Sequence, residues 1–206
     1  RFTFTLDEKV VHTAYGTFKR LWDDGLIYRG ERLVNYCTFH RTGFADIEVK
    51  YEDRVTPLYY LKYGPFVLAT TRPETKFGDT AVAVHPDDER YKHLIGKKLM
   101  LPISEREIPV IADDFVDKEF GTGAVKITPA HDQNDFEAGE RHKLPRINVI
   151  NYDGTMNDNV PEKYRGMTVD EARKATVEDL KNHDYLVAEE AYKHSVGHCY
   201  KIGRAS

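Results

Sequence analysis

Between Lys126 and Asp135 the chain reads Lys-Ile-Thr-Pro-Ala-His-Asp-Gln-Asn-Asp, placing an ammonium, a hydroxyl, an imidazole and two carboxylates close together in sequence. A period of two puts Lys126 and Thr128 on one face of a strand. Pro129 turns the chain, and Asp132 and Asp135 follow at the spacing of a helix start. One strand end and one helix start thus aim Lys126, Thr128, His131, Asp132 and Asp135 at a common pocket. Paired carboxylates suit an ammonium group, while lysine and threonine suit hydroxyl or carbonyl oxygens. Singly, each residue has a plainer use, Asp132 as a helix cap and His131 as a packed ring. Together they favour a site.

A second cluster is Thr70-Thr71-Arg72-Pro73-Glu74-Thr75, delivered at the end of an apolar strand. Pro73 restricts Arg72 to an extended backbone. Arg72 can fork onto a phosphate or a carbonyl, and Thr70, Thr71 and Thr75 offer donors and acceptors. A capped polar turn with a surface ion pair accounts for the same residues equally well.

Other chemistries find less support. His131, Asp132 and Asp135 look like metal ligands, but no second histidine or cysteine stands at ligand spacing in that segment. Neither Cys37 nor Cys199 lies in a nucleophile context, and Gly-x-Ser-x-Gly is missing. Attack by water, guided by positioning groups, is what remains. Cys37-x-x-His40 and Cys199 form a separate set of soft donors, with His198 the candidate for a fourth. Three donors leave a closed zinc site incomplete, so no metal is assigned.

The elements that must hold these groups are mostly short strands. Leu58–Lys62, Phe66–Thr71, Thr80–Val84, Lys98–Ile103, Ile108–Ala112, Ala124–Thr128 and Ile147–Asn151 are rich in β-branched and aromatic residues and punctuated by turn signals. They predict a β-rich, barrel-like α+β fold. Val11, Ala14, Phe18, Leu21 and Trp22 recur at helical spacing and predict a helix over Asp7–Asp24, with Gly25 closing it. Thr168 with Glu171 forms a capping box ahead of a helix over Val169–His183. Leu33–Tyr36 reads as a strand leading into an irregular stretch. The expected organisation is a stem over residues 1–54, a principal domain over 55–190 and a returning stem strand over 191–206.

Composition sets the outer limits. The chain has 206 residues, 40% hydrophobic, 31% charged and 12% aromatic, which excludes a disordered tail. A formal charge of −4 gives no global footprint for nucleic acid, so any RNA contact must be local. No apolar run approaches the ~20 residues of a bilayer span, and two cysteines make no disulfide framework. A cytoplasmic protein with no membrane association is expected. The chain begins at Arg1 and stops after HCYKIGRAS, which reads as part of a longer polypeptide.

ATTRPETKFGDTAVAVHPDDERY and GTGAVKITPAHDQNDFEAGERH, in that order, resemble the editing signatures of class I aminoacyl-tRNA synthetases for valine, isoleucine and leucine. The lysine and threonine of KITP are similar to the valyl form. So are GLIYRGERLVNYC, INVINYDGTMN, YRGMTVDEARKATVEDL and YKHSVGHCY, and the resemblance covers nearly the whole chain. It implies an inserted domain that hydrolyses threonine wrongly esterified to the valine tRNA. It also implies a partner in the acceptor end of that tRNA, a synthetic body on the same polypeptide and a monomeric enzyme. The isoleucyl or leucyl counterparts, and a tRNA-gripping module without chemistry, are the alternatives. The resemblance assigns Asp135 to the α-ammonium group, and Lys126, Thr128 and Asp132 to the threonine side chain or the water. Arg72 and Thr75 fall to the terminal adenosine or the carbonyl, with Thr70 and Thr71 lining the pocket. Editing would need no cofactor. ATP and magnesium belong to synthesis in the full-length enzyme, and the HIGH and KMSKS signatures of synthesis are absent. Gln133 stands in place of a proline, Lys76 in place of an apolar residue, and His40 and Ile202 in place of cysteines that bind zinc in relatives.

Overall fold

The computed structural model describes residues 2–104 and 106–200, together with the backbone of 204–205. It divides into two compact units, Arg1–Arg32 and Leu33–Ser206. The first is built on helix α1 (Glu8–Asp23), one residue shorter at each end than expected. Gly25, at φ +71°, closes it in the left-handed conformation that glycine adopts without strain. No α1 residue is buried, and Phe18 and Trp22 stand exposed along it with their rings stacked at 6.4 Å.

The second unit is the β-rich α+β fold expected, with its sheets open rather than closed among the described residues. Strands β1 (Asn35–Cys37) and β2 (Thr42–Phe44) form a hairpin. Strand β3 (Val49–Tyr63) pairs with β4 (Phe66–Thr70) on one side. On the other side it pairs with β9 (Leu186–Cys199), which in turn carries β10 (Arg204–Ala205). The second four-stranded sheet runs in the order β6 (Lys98–Met100), β7 (Glu107–Ala112), β5 (Ala81–Val84), β8 (Ala124–Ile127). Only the β5–β7 pair is parallel there. Helices α2 (Gln133–His142) and α3 (Val169–Asn182) complete the unit.

The boundaries expected at 54/55 and 190/191 fall inside β3 and β9, which pair continuously from Val49↔Cys199 to Tyr60↔Ala188. The outer part of this ribbon is mostly exposed on both faces, so it lacks the apolar alternation that marks a half-buried strand. Where the ribbon enters the body, alternation begins: Tyr59, Leu61 and Tyr63 are buried beside Phe66 and Leu68 of β4. The expected strand Ile147–Asn151 survives only as one bridge, Ile150↔Met156. Part of the expected returning segment, residues 201–203 and 206, lies outside the described residues.

Three apolar clusters hold the site's elements. Tyr63, Phe66, Leu68, Val82, Val84 and Leu101 lie between the sheets, with Leu180 of α3. Phe77 and Tyr164 meet at 4.8 Å in a second cluster, which fixes the turn after β4. Ala81, Ala83, Ile127 and Ala138 pack α2 onto β5 and β8. That last contact depends on Gly139, where an added Cβ would sit 2.9 Å from Pro129 Cβ and Cγ. Gly139→Ala raises helix propensity by about 1 kcal/mol yet pushes α2 off the strand end that carries Thr128. We expect a folded variant whose strand end is displaced, read as shifts of the Thr128, Asp132 and Asp135 amide resonances beyond those of the residues next to Gly139. Resonances unchanged at these positions would show that the close approach has no bearing on the strand end.

Candidate functional site

Thr70, Thr71, Arg72, Thr75, Lys126, Thr128, His131, Asp132 and Asp135 all line one cavity of about 390 Å³. That volume lies within the ~300–1,000 Å³ range of small-ligand sites. Strand β4 ends at Thr70, and a 3-10 turn over Pro73–Gly78 follows. Thr70 Oγ1 accepts from Arg72 N–H at 3.0 Å, and Thr75 Oγ1 donates to Arg72 carbonyl at 3.0 Å. Arg72 itself reaches across to the His131 carbonyl at 3.2 Å, tying the two segments together. Beneath the turn, the fully buried Glu74 receives both arms of Arg173 from α3, at 2.8 and 2.9 Å. A bidentate pair of this kind fixes orientation as well as charge.

Strand β8 delivers Lys126 and Thr128 to the cavity and sends Ile127 into the core. Asp132 then N-caps α2, its Oδ1 accepting from Asn134 N–H at 2.9 Å and Asp135 N–H at 3.1 Å. Asp135 lies deeper, 6% exposed, with one oxygen accepting from Thr128 N–H at 2.8 Å. Burial pushes its carboxyl up to about 6, against the opposing pull of Lys126. His131 is held down to about 3 by burial and by Arg72 and Lys126, so its ring is neutral at physiological pH. Its Nε2 accepts from Val149 N–H at 3.1 Å, which leaves the ring largely a structural strut within the wall.

The sequence reading did not single out Asp79. It is wholly buried behind the cavity, accepting from Thr128 Oγ1 at 2.5 Å and from Tyr63 hydroxyl at 2.8 Å. Lys126 Nζ lies 3.6 Å from the same carboxylate and donates to Thr128 Oγ1 at 2.5 Å. Thr128 gives its only proton to Asp79 and is itself wholly buried, so its oxygen serves as the acceptor that holds Lys126 in place. The Lys126 ammonium, at the cavity wall, has further N–H groups that a ligand hydroxyl can accept from; a methyl group cannot. Only the pairing of β5 with β8 brings Asp79 here, since Thr80 N–H meets the Ile127 carbonyl at 2.8 Å. Phe115, Phe120, Leu58, Tyr192 and His194, also not anticipated, are among the other residues of the lining.

Cys37, His40 and Cys199 gather as the sequence allows, with ligand atoms within 4.8 Å of one another. His40 Nδ1 lies 3.3 Å from Cys37 Sγ and 3.9 Å from Cys199 Sγ, and His40 N–H donates to Cys37 Sγ. These three donors fit three corners of a tetrahedral metal site. His198 is not among them; its Nε2 lies 3.5 Å from Glu52. Ile202 falls outside the described residues.

The sequence matches the family described as leucyl-tRNA synthetase, editing domain, over residues 88–192. It is 56% identical over 204 residues to a valine–tRNA ligase of Carboxydothermus hydrogenoformans, covering 96% of this chain and 23% of that protein. Valine–tRNA ligases of Treponema denticola, 50% identical over 214 residues, and Bacillus licheniformis, 54% identical over 206, are similar to 96% and 97% of it. They are covered to 24% and 23% of their own length, so the chain spans about a quarter of the relatives it matches.

Proposed function

From the premise that this chain belongs to the synthetase editing-domain family, we propose that it is the proofreading domain of a valyl-tRNA synthetase, hydrolysing threonine esterified to the valine tRNA. One observation carries the choice of threonine: the buried Asp79–Thr128 pair fixes the Lys126 ammonium as a hydrogen-bond donor in the cavity wall. Threonine and valine have nearly the same shape, so a synthetic pocket shaped for valine separates them only about a hundredfold; the handicap of valine–tRNA ligation is itself a standard case of this limit. A second site that requires the hydroxyl supplies the remainder. Valine bound here would leave the Lys126 ammonium facing a methyl group, at the cost of an unpaired, largely buried donor. The identity to valine–tRNA ligases supports the valyl reading over the leucyl or isoleucyl one.

In this reading Asp135 holds the substrate's α-ammonium through the oxygen not used by Thr128. Lys126, Thr128 and Asp132 engage the threonine hydroxyl or order the attacking water. Arg72 and Thr75 steady the ester and the terminal ribose. Phe115 and Phe120, 38% and 72% exposed, offer stacking surface to the terminal adenine. Hydrolysis is then addition of water to the ester carbonyl and departure of the ribose oxygen. An aminoacyl ester is already reactive, so orientation and charge stabilisation are sufficient contributions from the protein.

None of these roles uses a metal. The Cys37–His40–Cys199 group, if it holds zinc, would brace the β1–β2 hairpin against the end of β9 and supply no step of the chemistry. Deacylation of threonyl-tRNA(Val) by the chain should therefore proceed at full rate after treatment with a chelator. Loss of rate on chelation, restored by zinc, would overturn the metal-free mechanism. No deacylation under either condition would overturn the function.

A further inference from the structure

The β3–β9 ribbon does more than connect. Register pairs Thr56 with Tyr192 and Arg54 with His194, so these four residues share one face of the ribbon. That face is continuous with the cavity wall, to which Tyr192 and His194 already contribute. The two rings lie 5.6 Å apart, inclined by 34°, and Thr56 Oγ1 fixes the imidazole through its Nε2 at 2.7 Å. Tyr192 remains 37% exposed. Beyond the rings, Arg54 carries a half-exposed guanidinium that forms an ion pair with the half-exposed Glu52, at 3.2 Å. An exposed pair of this sort is worth little and is readily exchanged.

None of these groups is needed to read an amino acid or its ester. An aromatic platform followed along the strand by a cation is the pattern that holds single-stranded nucleic acid, base on ring and phosphate on guanidinium. Alternate residues on a strand lie about 7 Å apart, so the platform and the cation are at neighbouring positions along a bound strand. Resting on the proofreading function above, we propose that this ribbon face is a track for the unpaired 3′ end of the tRNA, with the nucleotide preceding the terminal adenosine stacked on Tyr192 and its phosphate at Arg54. The track lets the enzyme grip RNA although the chain's formal charge is −4.

The test compares two substrates with the whole chain: threonyl-tRNA(Val) and the short ester threonyl-adenosine, which ends before the track begins. Tyr192→Ala and Arg54→Ala should each raise KM for the tRNA substrate about tenfold, the lower end of one stacking contact. Arg54→Ala should leave kcat for the tRNA substrate, and both constants for threonyl-adenosine, at the parent values; Tyr192 also lines the cavity and is read by its tRNA KM, which Tyr192→Phe should restore. Equal losses on both substrates for Arg54→Ala, or no loss on either, would overturn the track. Binding of an uncharged, fluorescently labelled RNA with the same 3′ end is measured alongside. If the parent chain hydrolyses neither substrate, the proofreading function fails separately. The track then stands if Tyr192→Ala weakens this RNA about tenfold and falls if it does not.

Discussion

Asp135→Asn should abolish most of the hydrolysis while making the protein more stable. The asparagine keeps an oxygen to accept from Thr128 N–H, which Asp135 does now at 2.8 Å, so the loop geometry is retained. What is lost is the negative charge that we propose meets the substrate ammonium. Removing one such electrostatic group lowers turnover by about 10²- to 10³-fold. The stability gain follows from proton linkage. Burial raises the folded carboxyl to about 6 from an ordinary 3.8, so between those values the folded chain binds more protons than the unfolded one. Stability therefore falls as pH rises through this window. At neutral pH the charged Asp135 destabilises the fold by an amount on the order of 2–3 kcal/mol. Thermal unfolding at pH 7 should show the variant melting several degrees higher, with the difference vanishing near pH 4. A variant that hydrolyses at the parent rate would remove Asp135 from the site. One that melts lower at neutral pH would contradict its electrostatic cost.

Lys76→Met should stabilise the fold, and most strongly below neutrality. Lys76 is fully buried; its Nζ donates to the Pro102 carbonyl and lies 4.8 Å from the centre of the Phe77 ring. Burial lowers its ammonium to about 7 from an ordinary 10.5, the nearby Asp79 opposing and Arg106 adding to the effect. Between those values the unfolded chain holds a proton that the folded chain has released, so stability rises with pH across the window. The cost of the buried cation is full below about 7 and fades above it. At ~1.4 kcal/mol per pH unit the variant should gain several kcal/mol at pH 6, less the ~1 kcal/mol of the lost hydrogen bond. The gain should shrink steadily toward pH 10. Denaturant midpoints of the two proteins measured across this range decide it, and a difference independent of pH would contradict the account.

These two residues also show how far the sequence alone reaches. Asp135 was legible because local rules place it: strand period, proline turn and helix cap all act within ten residues of one another. The ends of α1 and α3 were legible for the same reason, through Gly25 and the Thr168–Glu171 box. Asp79 was not, because its role arises from the pairing of β5 with β8, a contact spanning 49 residues between Asp79 and Thr128. Lys76 could be seen as an odd residue in an apolar position, but not as a buried cation beside Asp79. The ribbon was missed over Val49–Pro57, because a strand exposed on both faces carries no alternating signature, and its returning partner was expected only from residue 191, whereas β9 starts at Leu186. Tyr192 and His194 share their ribbon face with Thr56 and Arg54 only through that long-range register, and the expected division at 190/191 fell between the cavity and its own wall.

The central claim is that this cavity selects a hydroxyl. Its most direct test is the ratio of single-turnover hydrolysis rates for threonyl-tRNA(Val) and valyl-tRNA(Val), measured with the same enzyme and the same tRNA. The Asp79–Thr128–Lys126 network predicts that the threonyl ester is cleared at least about 10²-fold faster, as expected where a missing hydroxyl leaves buried polar groups unpaired. Equal rates for the two esters would contradict it.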